Sequence, residues 1–317
     1  VPAAKMHADE PDTDTSLVHR LVAAQFPRWA GLAVKPVDSH GTSHVMYRLG
    51  ERMVVRLPRT AGAAEDIERE CTWLPRLAPS LPVPVPVPLG RGEPGDGYPF
   101  PWAVYRWLDG EVPAAGRIPD PGRLARDLGG FVTALRRIDP AGGPASYRSE
   151  TLAARDAATR TAIAGLRIPA DADAEPAALT AAWEAALRAP EWPGPPVWIH
   201  ADLQPGNLLL SGDRLGAVID FGCMGLGDPA VDLLPAWYVL PAGARDAFRA
   251  AATVDDAAWA RGRGWALSVA LLELNYYRDT NPSMTATARR VVHEVLAAPR
   301  QGTRPTPDRP WPGGSGR

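Results

Sequence analysis

Ile199-His200-Ala201-Asp202-Leu203-Gln204-Pro205-Gly206-Asn207, together with Val218-Ile219-Asp220-Phe221-Gly222 downstream, is the stretch that decides how this 317-residue chain is read. It spells H-x-D-x-x-x-x-N, and a second aspartate stands eighteen residues after the first, at the end of an apolar run. Phosphoryl transfer needs hard oxygen ligands for Mg2+, because the metal bridges and neutralises nucleotide phosphates. It also needs a carboxylate to orient and deprotonate the attacking hydroxyl. An Asp, an Asn and a second Asp on neighbouring turns supply that set. Taken singly, Asp202 and Asn207 are turn formers around Pro205-Gly206, and Asp220 is a strand-end turn residue. Their joint spacing between apolar segments favours the chemistry over three unrelated turns.

Working outward from this segment, the flanks differ in character. Upstream, Ser16 precedes Leu17, Val18, Leu21, Val22 and Phe26, a capped amphipathic helix that Pro27 ends. Short β-like runs come next at 32–37, 44–49 and 53–57, then a helix over 63–77 with Ile67, Cys71, Leu74 and Leu77 at helical spacing. The proline-rich segment 79–88 must be extended, since each proline fixes its own φ and disfavours the α region for its predecessor. Another strand is expected over 101–108. From about Gly116 the pattern changes to Ala/Leu/Arg helices at 123–138, 152–166 and 177–187. Three short apolar segments at 197–202, 207–210 and 215–220 interrupt them. Helices return at 229–240, 244–252, 256–277 and 283–296, and the Pro/Gly/Arg-rich 301–317 reads as a disordered tail. A β-rich first third and a helical remainder point to two lobes with a cleft between them.

Composition removes several classes. Lys+Arg 34 against Asp+Glu 36 gives −2, so the basic surplus of a nucleic-acid binder is missing. Hydrophobic residues at 45% and charged residues at 22% belong to a globular chain with ample core. The longest apolar runs, such as 266–272, are far short of a membrane span. The first fifteen residues are acidic and polar, with no apolar secretory segment, and Met6 is a candidate natural start. Cys71 and Cys223 alone give neither a disulfide framework nor metal spacing, so both are expected as buried thiols. A cytoplasmic location without a membrane partner is the expectation; oligomeric state is not legible. Lys5 and Lys35 are the only lysines among the 34 basic residues, so an Arg standing where Lys is usual carries less meaning here.

The chain resembles the aminoglycoside phosphotransferase family, the small-molecule branch of the protein-kinase-like fold. His200-Ala201-Asp202-Leu203-Gln204-Pro205-Gly206-Asn207 is similar to its catalytic loop and Asp220-Phe221-Gly222 to its metal-binding segment. Gly227-Asp228-Pro229-Ala230-Val231-Asp232-Leu233 is similar to the family's next segment along the chain. Further likeness lies in Tyr47-Arg48-Leu49-Gly50, Trp73-Leu74-Pro75-Arg76-Leu77, the prolines of 82–88 and Tyr276-Tyr277-Arg278. The resemblance implies an α+β, bilobal fold: an N-lobe over 1–104 that binds nucleotide, a hinge over 105–110, a helical C-lobe over 111–300, and the tail 301–317. It implies ATP or GTP as donor, Mg2+, and a small hydroxylated acceptor, with an aminoglycoside or other antibiotic favoured and hence a role in resistance or self-protection.

Carried over residue by residue, the resemblance makes Asp202 the catalytic base and His200 the brace of its loop. Asn207 and Asp220 become the metal ligands. Arg56 stands at the position of the strand lysine that reaches the phosphates, with Glu70 as its helix partner; Arg keeps the charge but presents a rigid fork. Gly41-Thr42-Ser43-His44 becomes the loop over the phosphates, where Ser43 would meet oxygens through its backbone N–H. It has a single glycine, and an ordinary turn is the competing reading. Arg106 and Leu108, in Tyr105-Arg106-Trp107-Leu108-Asp109, become the backbone that reads the base. Glu273 and Asp279 are candidate acceptor ligands, with Asp255 and Asp256 behind them and a solvated helix face as the bland account of each. Asp228 and Asp232 are expected to cap the adjoining helix or brace the loop. The tryptophans, Trp183, Trp192, Trp237, Trp259 and Trp265 among them, belong to core or to an aromatic acceptor pocket. Two alternatives stand beside this function: a kinase for a sugar or amino alcohol, and a nucleotide-binding pseudokinase that transfers nothing.

Overall fold

The computed structural model describes residues 10–37, 43–114, 116–166 and 175–297. In chain order the elements are α1 (Thr15–Gln25), β1 (Val34–Pro36), β2 (His44–Leu49), β3 (Met53–Pro58), α2 (Ala61–Leu77), β4 (Pro88–Gly92), β5 (Trp102–Arg106), α3 (Pro121–Arg136), α4 (Asp156–Ala164) and α5 (Pro176–Leu187). Then come β6 (Val197–Ile199), β7 (Leu208–Ser211), β8 (Arg214–Val218), β9 (Gly225–Gly227), α6 (Pro235–Tyr238), α7 (Arg245–Ala251), α8 (Asp256–Tyr277) and α9 (Pro282–Ala297). The fold is α+β, as the resemblance implied. The tail 301–317, Met6 and the Gly41-Thr42 pair lie outside the described residues.

Five antiparallel strands form one sheet in the order β1-β2-β3-β5-β4. Alternation along β3 explains how the sheet serves two layers. Val55 and Leu57 pack with Leu17, Val18, Leu21 and Val22 of α1 on one face, whereas Val54 packs with Ile67 of α2 and with Ala103 and Tyr105 of β5. Arg56 is in phase with Val54, so its guanidinium is delivered to the face that α2 covers. The helical region has its own core, in which Phe131, Trp183, Trp198, Phe221, Trp237 and Trp265 are fully buried. Two ribbons, β6 with β9 and β7 with β8, lie in it. The chain enters through Glu111, which exchanges two backbone hydrogen bonds with Leu210 at 2.8 and 3.0 Å.

The structure adjusts several boundaries for identifiable reasons. α1 is capped by Asp14, whose carboxylate accepts from the Leu17 N–H at 2.7 Å, and not by Ser16. The segment read as one helix over 229–240 divides into a tight turn, Pro229–Leu233, and the short α6, because Pro235 has no N–H to continue the first. The helix expected over 152–166 begins with a turn at Ala153–Arg155, so its α-helical part is only α4. β4 and β9, both glycine-rich and poor β formers, were not legible; pairing with β5 and β6 makes them strands. β5 runs through Tyr105 and Arg106, two residues that the resemblance assigned to the hinge.

Gly129 in α3 sets the approach of α7: a Cβ there would stand 2.5 Å from the Ala251 Cβ and 2.8 Å from the Ala252 backbone nitrogen. Backbone cannot yield as a side chain can, so Gly129→Ala is expected to cost about 1–3 kcal/mol through overpacking. A urea melt reads this as a lower midpoint at unchanged slope.

Candidate active site

The turn that carries the catalytic-loop sequence is pinned from below. The Asp232 carboxylate accepts from the backbone N–H of His200 at 2.8 Å and of Ala201 at 2.7 Å. Burial pushes its pKa up to about 7, against the pull of those two N–H groups. The His200 ring is fully buried against Phe221, with centroids 4.4 Å apart. Its Nε2 donates to the Ile219 carbonyl at 3.0 Å and its Nδ1 accepts from the Asp202 N–H at 3.2 Å, one neutral tautomer that joins the loop to the strand end before Asp220. Burial lowers the His200 pKa, which keeps that tautomer neutral. Ala201 takes the left-handed region, φ +68°, and Asp220 does so at φ +62°. Aspartate tolerates that conformation better than alanine does.

Asp202 and Asn207 meet directly. The Asn207 amide donates to Asp202 Oδ2 at 2.9 Å and to the Asp202 carbonyl at 2.8 Å. The Asn207 carbonyl accepts from the Ile219 N–H at 2.9 Å, so residues 202, 207 and 219–220 form one hydrogen-bonded cluster. With its NH2 group so committed, the side-chain oxygen of Asn207 remains to face a cation. Asp220 keeps a 45% exposed side chain. Burial pushes its pKa up most strongly of any one cause, but Arg56, through its charge and its hydrogen bond, acts with His44 and His200 to hold it below the ordinary carboxylate value. Among the described residues no group of three His, Cys, Asp or Glu side chains forms a metal cage. One ionised carboxylate and one amide oxygen fit Mg2+, which is held by few protein ligands and completes its shell with water and phosphate.

From the sheet side, Arg56 reaches this cluster. One guanidinium nitrogen donates to both Glu70 oxygens at 2.9 and 3.0 Å, and another to Asp220 Oδ1 at 3.1 Å. Burial opposes its charge, but Glu70 and Asp220 more than compensate, so Arg56 stays a guanidinium. Glu70 is fully buried and also accepts from the Tyr105 hydroxyl at 2.6 Å and the Phe221 N–H at 2.9 Å. The Arg56–Glu70 pair is thus buried, while Glu68 pairs with Arg91 at the surface. His44 Nε2 donates to the Ala63 carbonyl at 3.2 Å, leaving Nδ1 to accept from Arg56 at 3.1 Å. Burial and then Arg56 lower its pKa to about 3, so His44 is neutral at physiological pH.

The remaining predicted residues divide. Glu273 joins the cluster: Gln204 donates to Asp202 Oδ1 at 3.2 Å and to Glu273 Oε1 at 2.6 Å, and Tyr238 donates to Glu273 Oε2 at 2.9 Å. Asp279 is exposed in the turn just beyond the end of α8 and does not join that cluster. Asp255 caps α8 through the Ala258 N–H, and Asp256 pairs with Arg249; both lie at the far end of that helix from Glu273. Ser43 accepts at its carbonyl from the Arg59 N–H. Arg106 is exposed at the end of β5, and Leu108 lies beyond it in the connector, half-buried. Trp183, Trp237 and Trp265 are core, while Trp192 is partly exposed. Both cysteines are free thiols, and burial raises each pKa to about 12.

Sequence reading missed three contributors. Arg69 donates to the carbonyls of Gly222 and Met224 at 3.1 and 3.3 Å, holding the chain after Asp220. Asp66 lies so near Gly222 that a Cβ there would stand 2.8 Å from the carboxyl carbon, which accounts for glycine at that position. Arg148 contacts Asp202 itself. None belongs to a local motif, so spacing offered no signal.

Glu273 gives a pH prediction. Burial pushes its pKa up to about 7, so between about 4.5 and 7 the folded state binds a proton that the unfolded state has lost. Its contribution to stability is therefore full below about 4.5 and lost as pH rises through 7. Glu273→Gln removes this term, and the stability of wild type relative to the variant should fall between pH 4.5 and pH 8. Urea midpoints of both proteins at the two pH values check this; a constant difference would contradict it.

A sheet-borne Arg–Glu pair directed at an H-x-D-x-x-x-x-N turn and a strand-end aspartate defines the class as protein-kinase-like. The chain belongs to the phosphotransferase enzyme family (APH), whose pattern matches residues 34–265. It is accordingly a phosphotransferase with an alcohol group as acceptor. No curated protein matches it. Among solved structures it is similar to the GDP and kanamycin complex of an APH(2″) protein, at 20% identity and TM-score 0.69, covering 88% of this chain and 98% of that one. It is also similar to ADP-bound aminoglycoside phosphotransferase APH(2″)-Ib, at 15% identity and TM-score 0.60 over 90% and 97% of the two chains. A third is macrolide 2′-phosphotransferase MphH from Brachybacterium faecium, at 24% identity and TM-score 0.58 over 91% and 99%. At these identities the likeness establishes the fold. No helix among the described residues is long and apolar enough to cross a membrane.

Proposed function

We propose that the chain moves the γ-phosphoryl group of ATP or GTP to a hydroxyl of a small molecule, most readily an antibiotic. The observation that carries this reading is the hydrogen-bonded cluster of Asp202, Asn207 and Ile219–Asp220, met from the sheet by Arg56. Asp202 orients the acceptor hydroxyl and takes its proton, with His200 fixing the loop beneath it. Asn207 and Asp220 hold Mg2+, which when bound neutralises charge on the phosphates. Arg56, kept charged and aimed by Glu70, faces the phosphates, and Ser43 and the backbone at Arg106 and Leu108 border the nucleotide. Residues 1–104 serve as the nucleotide lobe, 105–110 as the hinge and 111–300 as the catalytic lobe.

GDP, ADP and kanamycin in the similar structures support a nucleotide donor and a hydroxylated antibiotic acceptor. The macrolide-acting relative widens the antibiotic class. Glu273 is the acceptor-side carboxylate nearest the base, and Asp279 a more distant one. The intact Asp202, Asn207 and Asp220 set favours an enzyme over a pseudokinase. The test is an acceptor panel of aminoglycosides, macrolides, sugars and amino alcohols, with coupled ADP and GDP detection. Turnover with an antibiotic supports the reading, turnover confined to sugars or amino alcohols transfers it to a metabolite kinase, and nucleotide binding without consumption overturns it.

A further inference from the structure

We infer that Arg148 is the positioning residue for the Asp202 carboxylate, and that it leaves Oδ2 as the oxygen that receives the acceptor hydroxyl. This rests on the proposed role of Asp202 as base. Arg148 lies in a segment fastened to the chain just after Asp220. The Ser146 N–H donates to the Leu226 carbonyl at 3.1 Å, and the Tyr147 N–H to the Cys223 carbonyl at 3.1 Å. The Ser146 hydroxyl donates to the Cys223 carbonyl at 2.9 Å and accepts from the Arg148 N–H at 3.1 Å. The Arg148 side chain is 12% exposed. One of its guanidinium nitrogens donates to Asp202 Oδ1 at 3.1 Å and also to the Ala201 carbonyl.

The second contact explains why alanine can stay left-handed. That conformation is sterically disfavoured for a non-glycine residue and persists only where the surroundings over-determine it. Both peptide groups of Ala201 are gripped, the N–H by Asp232 and the carbonyl by Arg148. A flip of Ala201 would swing the next residue, Asp202, away from Asn207. Arg148 therefore fixes the backbone and the rotamer of the base together.

A lone-pair count gives the orientation. An ionised carboxylate offers about four acceptor sites, two on each oxygen. Among the described residues, Oδ1 accepts from Arg148 and Gln204, while Oδ2 accepts from Asn207 alone. The one open site is on Oδ2, next to the amide of Asn207.

The experiment compares Arg148→Met and Arg148→Lys with wild type. It measures ADP or GDP release with water as the acceptor, and amide hydrogen exchange over residues 199–204. Arg148→Met is expected to cut release by about 100-fold, the cost of a misplaced reacting group, with Mg-nucleotide affinity held within threefold. Exchange should quicken over 199–204 and stay unchanged in α2 and α3. Arg148→Lys, which keeps the charge without the fork, should lie between. In an Asp202→Ala background, adding Arg148→Met should slow release no further, because residues acting through one group are not additive. Wild-type exchange over 199–204, release within threefold of wild type, multiplying losses in the double variant, or exchange quickened throughout the chain would each overturn the inference. If Asp202→Ala itself turns over normally, the proposed function fails first; if only Arg148→Met does, the inference fails alone.

Discussion

Asp202→Ala is expected to slow phosphoryl transfer by about 100- to 10,000-fold, the usual contribution of a positioned general base, with Mg-nucleotide affinity within a few-fold of wild type. The separation of the two effects comes from the hydrogen bonds. Asn207 is anchored twice on residue 202, by the carboxylate at 2.9 Å and by the backbone carbonyl at 2.8 Å, and alanine keeps the second. His200 also keeps its contacts with Asp232 and Ile219, so the loop retains its floor. Single-turnover rates and nucleotide titration on the same preparation check the two halves. Turnover within a few-fold of wild type would remove Asp202 from the role of base.

Asp220→Asn should do the reverse and strike binding first: Mg-nucleotide affinity is expected to fall by at least about 10-fold, and turnover with it. Asparagine is the informative substitution because residue 220 sits at φ +62°, a conformation asparagine accepts and alanine resists. The variant therefore removes the negative charge without unsettling the turn. Nor does it orphan the buried guanidinium, since Glu70 still holds Arg56 through both oxygens. Titration of the variant with nucleotide, with and without Mg2+, separates a lost metal ligand from a damaged nucleotide pocket. The metal-free affinity should be unchanged, and the gain on adding Mg2+ should largely disappear.

The features legible in the sequence were those encoded locally. The catalytic-loop spacing is a turn motif, and its residues come together because they are near neighbours in sequence or flank paired strands. Arg56 and Glu70 were paired through the family resemblance, and the structure shows why they meet: Arg56 is in phase with Val54 on the face of β3 that α2 covers. Long helices such as α8 were readable from end to end, although Asp255, read as an acceptor candidate or a solvated face, is the cap of that helix. The misses share one cause, which is dependence on distant chain. β4 and β9 exist through their partners, and Arg148 meets Asp202 only because Ala145 and Ser146 pair with Leu226. Acidic residues that look alike in sequence are also sorted only by the fold: Glu273 enters the Gln204–Asp202 network, whereas Asp256 pairs with Arg249.

Every role proposed for the site depends on where the metal sits, and a crystal structure with Mg2+ and a non-hydrolysable ATP or GTP analogue tests that directly. One metal ion is expected to touch both Asn207 and Asp220 and the nucleotide phosphates, with the Asp202 carboxylate facing the open side. A metal bound to neither residue, or a nucleotide seated away from Arg56, would contradict it.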